Sequence, residues 1–101
     1  MPDKFKPTYD LEAFKAATPS MRVTVVATRT AAALGFGRAE MMAIIATMQR
    51  RQFYKSTTSR ADHRIWQDVY HVPSPAGTLY VKFTADAMAE FSLLSFKEKD
   101  Q

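Results

Sequence analysis

The chain has 101 residues and no cysteine, and 47% of its residues are hydrophobic while 24% are charged. This size predicts one domain, residues 1–101, without disulfides or thiolate metal sites, and no apolar run reaches the ~20 residues needed to span a bilayer. The net charge of +4 favours a polyanionic partner, either nucleic acid or an acidic protein, although such a charge also serves solubility alone.

The first half of the chain has helical patterning. Asp10 is a good N-cap for a short first helix, and an extended piece is expected at residues 22–23. Thr24 is placed to cap a second helix that Gly35 ends. Apolar residues with helical spacing predict a third helix over residues 38–51, with its methionines in the core.

The second half has strand patterning. Strands are predicted over residues 52–58, 64–72, 78–84 and 90–99, and the Pro/Ser/Gly cluster at 73–77 predicts a turn. Helices followed by consecutive strands are typical of an α+β domain. We therefore expect N-terminal helices packed on one face of an antiparallel sheet.

Alternation assigns side chains to the two faces of that sheet. In residues 78–84 the apolar positions separate cleanly from Tyr80 and Lys82, which belong to the face away from the helices. The last strand divides less cleanly, into Ser92, Leu94 and Phe96 against Leu93, Ser95 and Lys97. The open face then carries lysines, a tyrosine and hydroxyls, a composition that also fits an ordinary solvated surface.

The stretch DHRIWQDVYH, residues 62–71, contains both histidines of the chain. Eight residues of extended chain span ~26 Å, so His63 and His71 cannot bind one ion on a straight strand. No HxH or HExxH spacing occurs, and a metal site is not expected. Asp62 beside His63 favours a pair that stabilises a turn, with acid–base chemistry by His63 as the alternative.

Within the same stretch, alternation places Trp66, Asp68 and Tyr70 on one face and Gln67 and its alternates on the other. Both faces carry apolar residues, which indicates a central strand covered on both sides. Asp68 is expected to be a buried acceptor for a turn or a lysine. For Gln67, the structural and functional interpretations are equally supported.

Several blocks in this order carry a family resemblance: PTYDLEAFKA, FYKS, DHRIWQDVY, LYVKFT and SFKEK. Together they resemble the motility quorum-sensing regulator (MqsR) toxins of bacterial toxin–antitoxin pairs. The resemblance implies a compact α+β ribonuclease fold like that of RelE-type toxins. It also implies mRNA cleavage without the ribosome at GCU-type sites, with no cofactor.

The resemblance further implies a cognate antitoxin of the MqsA type, which carries the zinc and the helix-turn-helix. DNA binding would then occur only through the antitoxin complex. The charged N-terminus lacks the apolar stretch of a secretory signal, and no membrane partner is expected. We therefore expect a cytoplasmic protein.

The active-site residues that the resemblance implies are Lys55, Gln67, Tyr80 and Lys97. The two lysines would supply positive charge, one of them could act as base, and Tyr80 is a candidate general acid.

Arg60, His63 and Lys82 are expected RNA contacts. Family members often have a methionine and a tyrosine where this chain has Thr57 and Arg60, which leaves the cleavage sequence open. The alternative to an enzyme is a basic sheet that only binds RNA or an antitoxin.

Overall fold

A computed structural model describes residues 3–100 of the chain. The helices and strands follow one another in the order β1 (Asp3–Lys4), α1 (Leu11–Ala17), β2 (Arg22–Val23), α2 (Val25–Ala33), α3 (Arg38–Ala46), β3 (Phe53–Thr58), β4 (Trp66–Ser74), β5 (Gly77–Ala85) and β6 (Phe91–Glu98). The predicted α+β class is confirmed. None of the helices found between residues 3 and 100 is long and apolar enough to cross a membrane.

The first two helices begin where the sequence predicts. The Asp10 carboxylate accepts a hydrogen bond from the backbone N–H of Glu12, and the Thr24 hydroxyl accepts one from Ala27 N–H. Both caps satisfy donors that have no partner inside the helix. After α2 the chain turns at Gly35, which adopts a φ of 86° that a side chain would disfavour.

The third helix is shorter than predicted. It ends at Ala46 rather than at residue 51, and a short 3₁₀ turn, Arg50–Gln52, follows before β3. The hydroxyl of the β-branched Thr47 donates a hydrogen bond to the Ile44 carbonyl, and the Met48 side chain lies in the core with no exposed surface. The Met48 carbonyl accepts a hydrogen bond from the Lys15 side chain, so tertiary contacts end the helix here.

The strands form one six-stranded sheet in the order β1-β3-β4-β5-β6-β2. The central pairs are antiparallel, as predicted, but β2 lies parallel to β6, so the prediction of a wholly antiparallel sheet is wrong at that edge. The extended piece at residues 22–23 is confirmed as β2. Strand β1 was not predicted; it pairs antiparallel with β3.

The predicted turn at residues 73–77 is tighter than expected. Strand β4 continues through Pro73, and Ser74 pairs with Gly77 across a two-residue loop. Gly77 adopts a φ of 98°, and the Ser74 hydroxyl donates to the Gly77 carbonyl. This hairpin sets the register of β4 on β5 and so fixes which side chains share the open face.

The helices pack on one face of the sheet, as predicted. Phe14 of α1 stacks on Phe83 of β5 with ring centroids 3.7 Å apart, and α2 and α3 bury Ala27, Ala31 and Ile45 in the same core. None of the helices in residues 3–100 covers the opposite face of β3–β6. We call it the open face, and it presents the polar residues described below.

A β-bulge changes which side chains of β6 share a face, so the predicted grouping of these side chains is wrong. The pairing with β5 shifts between Lys82 and Phe83, because Lys82 lies opposite Ser95 whereas Phe83 lies opposite Leu93. The extra residue breaks the simple alternation, so Leu93 and Phe96 are both in the core, contrary to the predicted grouping. The bulge keeps Lys97 on the open face, opposite Tyr80.

Candidate functional site

The register of four strands places cationic residues in a row across the open face. Lys55 of β3 lies opposite Val69 of β4, Val69 lies opposite Lys82 of β5, and Lys82 lies opposite Ser95 of β6. Val69 is fully buried although it belongs to this face, so it forms an apolar floor between the two lysines. Charged groups beside such a floor are less well screened than on an open surface.

A second row is aromatic and ends in another lysine. His71 of β4 lies opposite Tyr80 of β5, which lies opposite Lys97 of β6. The Lys97 ammonium is 5.3 Å from the centre of the Tyr80 ring, and the His71 and Tyr80 ring centres are 6.3 Å apart. Tyr54, at a bulge in β3, stacks on His71 at 4.3 Å and is 47% exposed.

A recess of about 550 Å³ opens beside these rows. Its lining residues, which define the sheet recess, are Asp3, Lys55, Thr57, Thr58, Arg60, Gln67, Tyr80 and Lys82. Three of the four residues that the resemblance implied as catalytic therefore meet in one place. The fourth, Lys97, lies beside the recess as the cross-strand neighbour of Tyr80.

The three residues expected to contact RNA do not all lie at the sheet recess. Lys82 lies inside the sheet recess and Arg60 lines it from the loop between β3 and β4, whereas His63 is exposed on that loop and is not part of the lining. The expected Asp62–His63 pair is not what holds the turn. The Asp62 carboxylate instead accepts three hydrogen bonds from Arg64, one from its backbone and two from its guanidinium, which lower the Asp62 pKa.

The two histidines lie on different elements, His63 on the loop and His71 in β4. Within residues 3–100 no group of three or more His, Asp or Glu side chains is arranged to hold a metal ion. The side chains that the open face and the sheet recess present are amines, phenols, the His71 imidazole, an amide, hydroxyls and the Asp3 carboxylate.

Sequence reasoning missed Asp3. Its carboxylate accepts a hydrogen bond from the Lys55 ammonium at 3.3 Å, and hydrogen bonds from Thr57 and Lys55 lower its pKa. The contact exists because β1 pairs with β3, with Asp3 opposite Thr57. A two-residue strand near a terminus has no periodicity to detect, so no sequence pattern could have revealed it.

The pKa shifts in the recess have separate causes. Burial raises the pKa of the Tyr80 phenol, and the positive charge of Lys55 partly opposes that rise. Burial lowers the pKa of the Lys82 ammonium, and the charges of Lys97 and Lys55 lower it further. At neutral pH Tyr80 therefore keeps its proton, while Lys82 is deprotonated more readily than an ordinary lysine.

Asp68 anchors the N-terminal segment to β4 on the core face of the sheet, opposite the sheet recess. Its side chain is fully buried on the core face and accepts hydrogen bonds from the backbone N–H groups of Thr8 and Tyr9. The Tyr9 hydroxyl donates to the Trp66 carbonyl at 2.9 Å. The predicted role of Asp68 as a buried acceptor for a turn is confirmed, and its neighbour Gln67 is left facing the recess.

Gln67 is half-buried, and its amide makes no hydrogen bond to another group of residues 3–100, whereas its backbone carbonyl accepts one from Ser56. A free amide beside two lysines and a protonated phenol can receive an oxyanion by donating N–H bonds. Exposed aromatic rings next to cationic groups are also the surface on which single-stranded nucleic acid stacks. The arrangement suits a phosphodiester better than a small neutral ligand.

Comparisons with known proteins show which family the chain belongs to. The family model described as "Motility quorum-sensing regulator, toxin of MqsA" matches residues 6–98. This chain is a member of the MqsR toxin family. It is also 38% identical over 79 residues to the mRNA interferase toxin MqsR of Escherichia coli strain K12, covering 78% of this chain and 79% of that protein. The resemblance of its motifs to MqsR toxins is confirmed.

In this MqsR-family chain, the motif blocks are spread over three strands. FYKS supplies Lys55 from β3, WQDVY supplies Gln67 from β4, and LYVKFT supplies Tyr80 and Lys82 from β5. The family match therefore covers every strand that lines the sheet recess except β1. The sheet order brings the blocks together although 27 residues separate Lys55 from Lys82 in the chain.

Proposed function

We propose that this MqsR-family protein is an mRNA endoribonuclease and the toxin of a toxin–antitoxin pair. The observation that carries the proposal is the sheet recess, in which Lys55, Gln67, Tyr80 and Lys82 converge on one half-buried surface. The relative named an mRNA interferase supports the substrate class. The net charge of +4 supports a polyanionic substrate.

Cleavage of RNA without a cofactor requires an acid for the departing 5′-oxygen and positive charge for the transition state. Tyr80 is the proposed acid, since its raised pKa keeps the phenol protonated. Lys55 and Lys97 flank it and supply charge to the non-bridging phosphate oxygens. Gln67 orients the phosphate through its amide, and Arg60 contacts the RNA backbone from the rim of the recess.

The other parts of the proposal, which concern the fold type, the location, the cleavage site and the antitoxin, are what the resemblance to the family implies. We propose that residues 1–101 form one toxin domain with a RelE-type fold, acting in the cytoplasm at GCU-type sites without a metal ion. An MqsA-type antitoxin that carries the zinc and the helix-turn-helix would inhibit it, and DNA would be contacted only through that complex. His63 stays a proposed RNA contact at the edge of the site, because it lies on the same loop as Arg60.

The test uses the purified chain and a defined single-stranded RNA in excess EDTA, with cuts mapped by primer extension. We expect cleavage by the wild type, and loss of cleavage in Tyr80→Phe and Lys55→Ala with native circular dichroism. Arg29→Ala removes a positive charge from the exposed side of α2 and is the matched control, which should cut normally.

Three results would each contradict a part of the proposal. If both site variants cut at the wild-type rate, the catalytic assignment is wrong. If the wild type binds RNA but never cuts it, the protein is a binding module. A strict requirement for Mg²⁺ or Zn²⁺ would contradict the metal-free mechanism while leaving the nuclease activity intact.

A further inference from the structure

Lys82 is a half-buried lysine in the interior of the open face, on a strand that has a neighbouring strand on each side. It lies between Val69 and Ser95 in the cross-strand row, with Lys55 one strand further across Val69. Tyr80 precedes it by two residues, so both side chains emerge from β5 on the same face, ~7 Å apart along the strand. Lys82 is half-buried and lines the sheet recess.

Lys55, Lys82 and Lys97 on the open face differ in which neighbouring group stabilises the positive charge of the ammonium. The Lys55 ammonium is paired with the Asp3 carboxylate at 3.3 Å, and the Lys97 ammonium lies 5.3 Å from the centre of the Tyr80 ring. Lys82 forms no ion pair with any carboxylate of residues 3–100. It is therefore the lysine for which the charged form is stabilised least.

The remaining charged groups around Lys82 reinforce this difference. Lys97 lies diagonally across on β6, opposite Tyr80, and Lys55 lies beyond Val69 on β3; the charges of both lower the Lys82 pKa in addition to burial. Arg60 adds positive charge at the rim of the sheet recess, and the carboxylate of Asp3 is engaged by Lys55. A larger neutral fraction gives Lys82 a free lone pair, which a proton acceptor needs and a phosphate-binding lysine does not.

We propose that Lys82 is the general base of the RNA cleavage reaction, with its position between Lys55 and Tyr80 placing the amine beside the attacking 2′-hydroxyl. The inference rests on the proposed ribonuclease function and adds a catalytic role to a residue expected only to contact RNA. In this assignment Lys55 and Lys97 supply positive charge to the phosphate.

The neutral Nζ of Lys82 takes the 2′-hydroxyl proton, and the 2′-oxygen forms a bond to the adjacent phosphorus. The bond from phosphorus to the 5′-oxygen breaks, and that oxygen takes the proton of the Tyr80 phenol. The products are a 2′,3′-cyclic phosphate and a free 5′-hydroxyl. The Lys82 ammonium then releases its proton to solvent, and the Tyr80 phenolate takes one up.

The experiment compares Lys82→Arg and Lys82→Ala with the wild type on a single-cut RNA across pH. Arginine keeps the charge but cannot accept a proton, so Lys82→Arg should lose roughly 10²- to 10⁴-fold in kcat/KM with native circular dichroism. In the wild type, kcat/KM should rise with pH, with a midpoint below the usual lysine value of 10.5, and the variant should lack this rising limb.

Chemical rescue distinguishes a role of Lys82 as a proton acceptor from a role as a source of positive charge. Added methylamine should restore cleavage to Lys82→Ala in proportion to its neutral form, and it should not accelerate Arg29→Ala, the charge-matched control on α2. If Lys82→Arg cuts within about threefold of the wild type and keeps its pH profile, Lys82 supplies only charge and the proposal is overturned. If the wild type does not cut RNA, the ribonuclease function itself fails, before any Lys82 variant is compared.

Discussion

Replacement of Asp68 by asparagine tests how the N-terminal segment is held to the sheet. The fully buried carboxylate accepts hydrogen bonds of 2.9–3.0 Å from two backbone donors, Thr8 N–H and Tyr9 N–H. A hydrogen bond to a charged acceptor contributes ~1.5–3 kcal/mol, against ~0.5–1.5 kcal/mol for a neutral one. For two donors, Asp68→Asn should therefore lower the free energy of unfolding by roughly 2–3 kcal/mol.

The assay is urea unfolding followed by circular dichroism and Trp66 fluorescence. With an m-value of ~2 kcal/mol/M, the unfolding midpoint should fall by about 1 M or more. Asp86→Asn is the matched control, because the Asp86 carboxylate also accepts two backbone hydrogen bonds, from Met88 and Glu90, but is exposed to water. If Asp68→Asn lowers the midpoint no more than Asp86→Asn does, the argument from burial is refuted.

Three further predictions concern the open face and the core beneath it. Tyr70 is fully buried with no partner for its hydroxyl in residues 3–100, so Tyr70→Phe should be neutral or stabilising in urea at pH 8. Burial raises the pKa of Tyr70 from 10.0 to about 12, so the wild type should lose stability as pH rises through this window and Tyr70→Phe should lose less; equal losses would contradict the shift. Asp3→Asn frees Lys55 for phosphate and should tighten binding of a non-cleavable 2′-O-methyl RNA a few-fold by fluorescence anisotropy, whereas weaker binding would show that Asp3 helps to hold the site. Tyr54→Ala removes a ring stacked on His71 and should weaken binding of single-stranded RNA by ~1–3 kcal/mol but leave duplex RNA unchanged, and equal weakening of both would exclude stacking.

Much of the open face could be predicted from the sequence. Alternation in 78–84 separates Tyr80 and Lys82 from a buried set that the structure confirms as Leu79, Val81 and Phe83. The prediction succeeds because a strand with one covered face has a period of two. In the last strand the same rule grouped Leu93 with Lys97, although Leu93 is buried in the core, because the bulge adds a residue and no local pattern marks it.

Other features depend on contacts between distant segments. The third helix ends at Ala46 because Met48 enters the core and its carbonyl meets Lys15, and helix propensity carries no information about either contact. Asp62 binds Arg64 instead of His63, a choice between neighbours that only the loop conformation decides. Neither outcome could be predicted by reading residues in order.

By itself, the sequence determined the α+β class, the caps of the first two helices, the faces of residues 78–84 and the motif blocks of the MqsR family, since each depends on residues close together in the chain. Tertiary structure alone decided that Asp3 pairs with Lys55, that β2 runs parallel to β6, and that Lys82 lies near Lys55 and Lys97 with no ion pair to a carboxylate of residues 3–100. Protonation of an amine depends on its burial and on charges from other strands, and strand order brings those together across the sheet. For this reason a residue expected only to contact RNA is the one that we propose as the base.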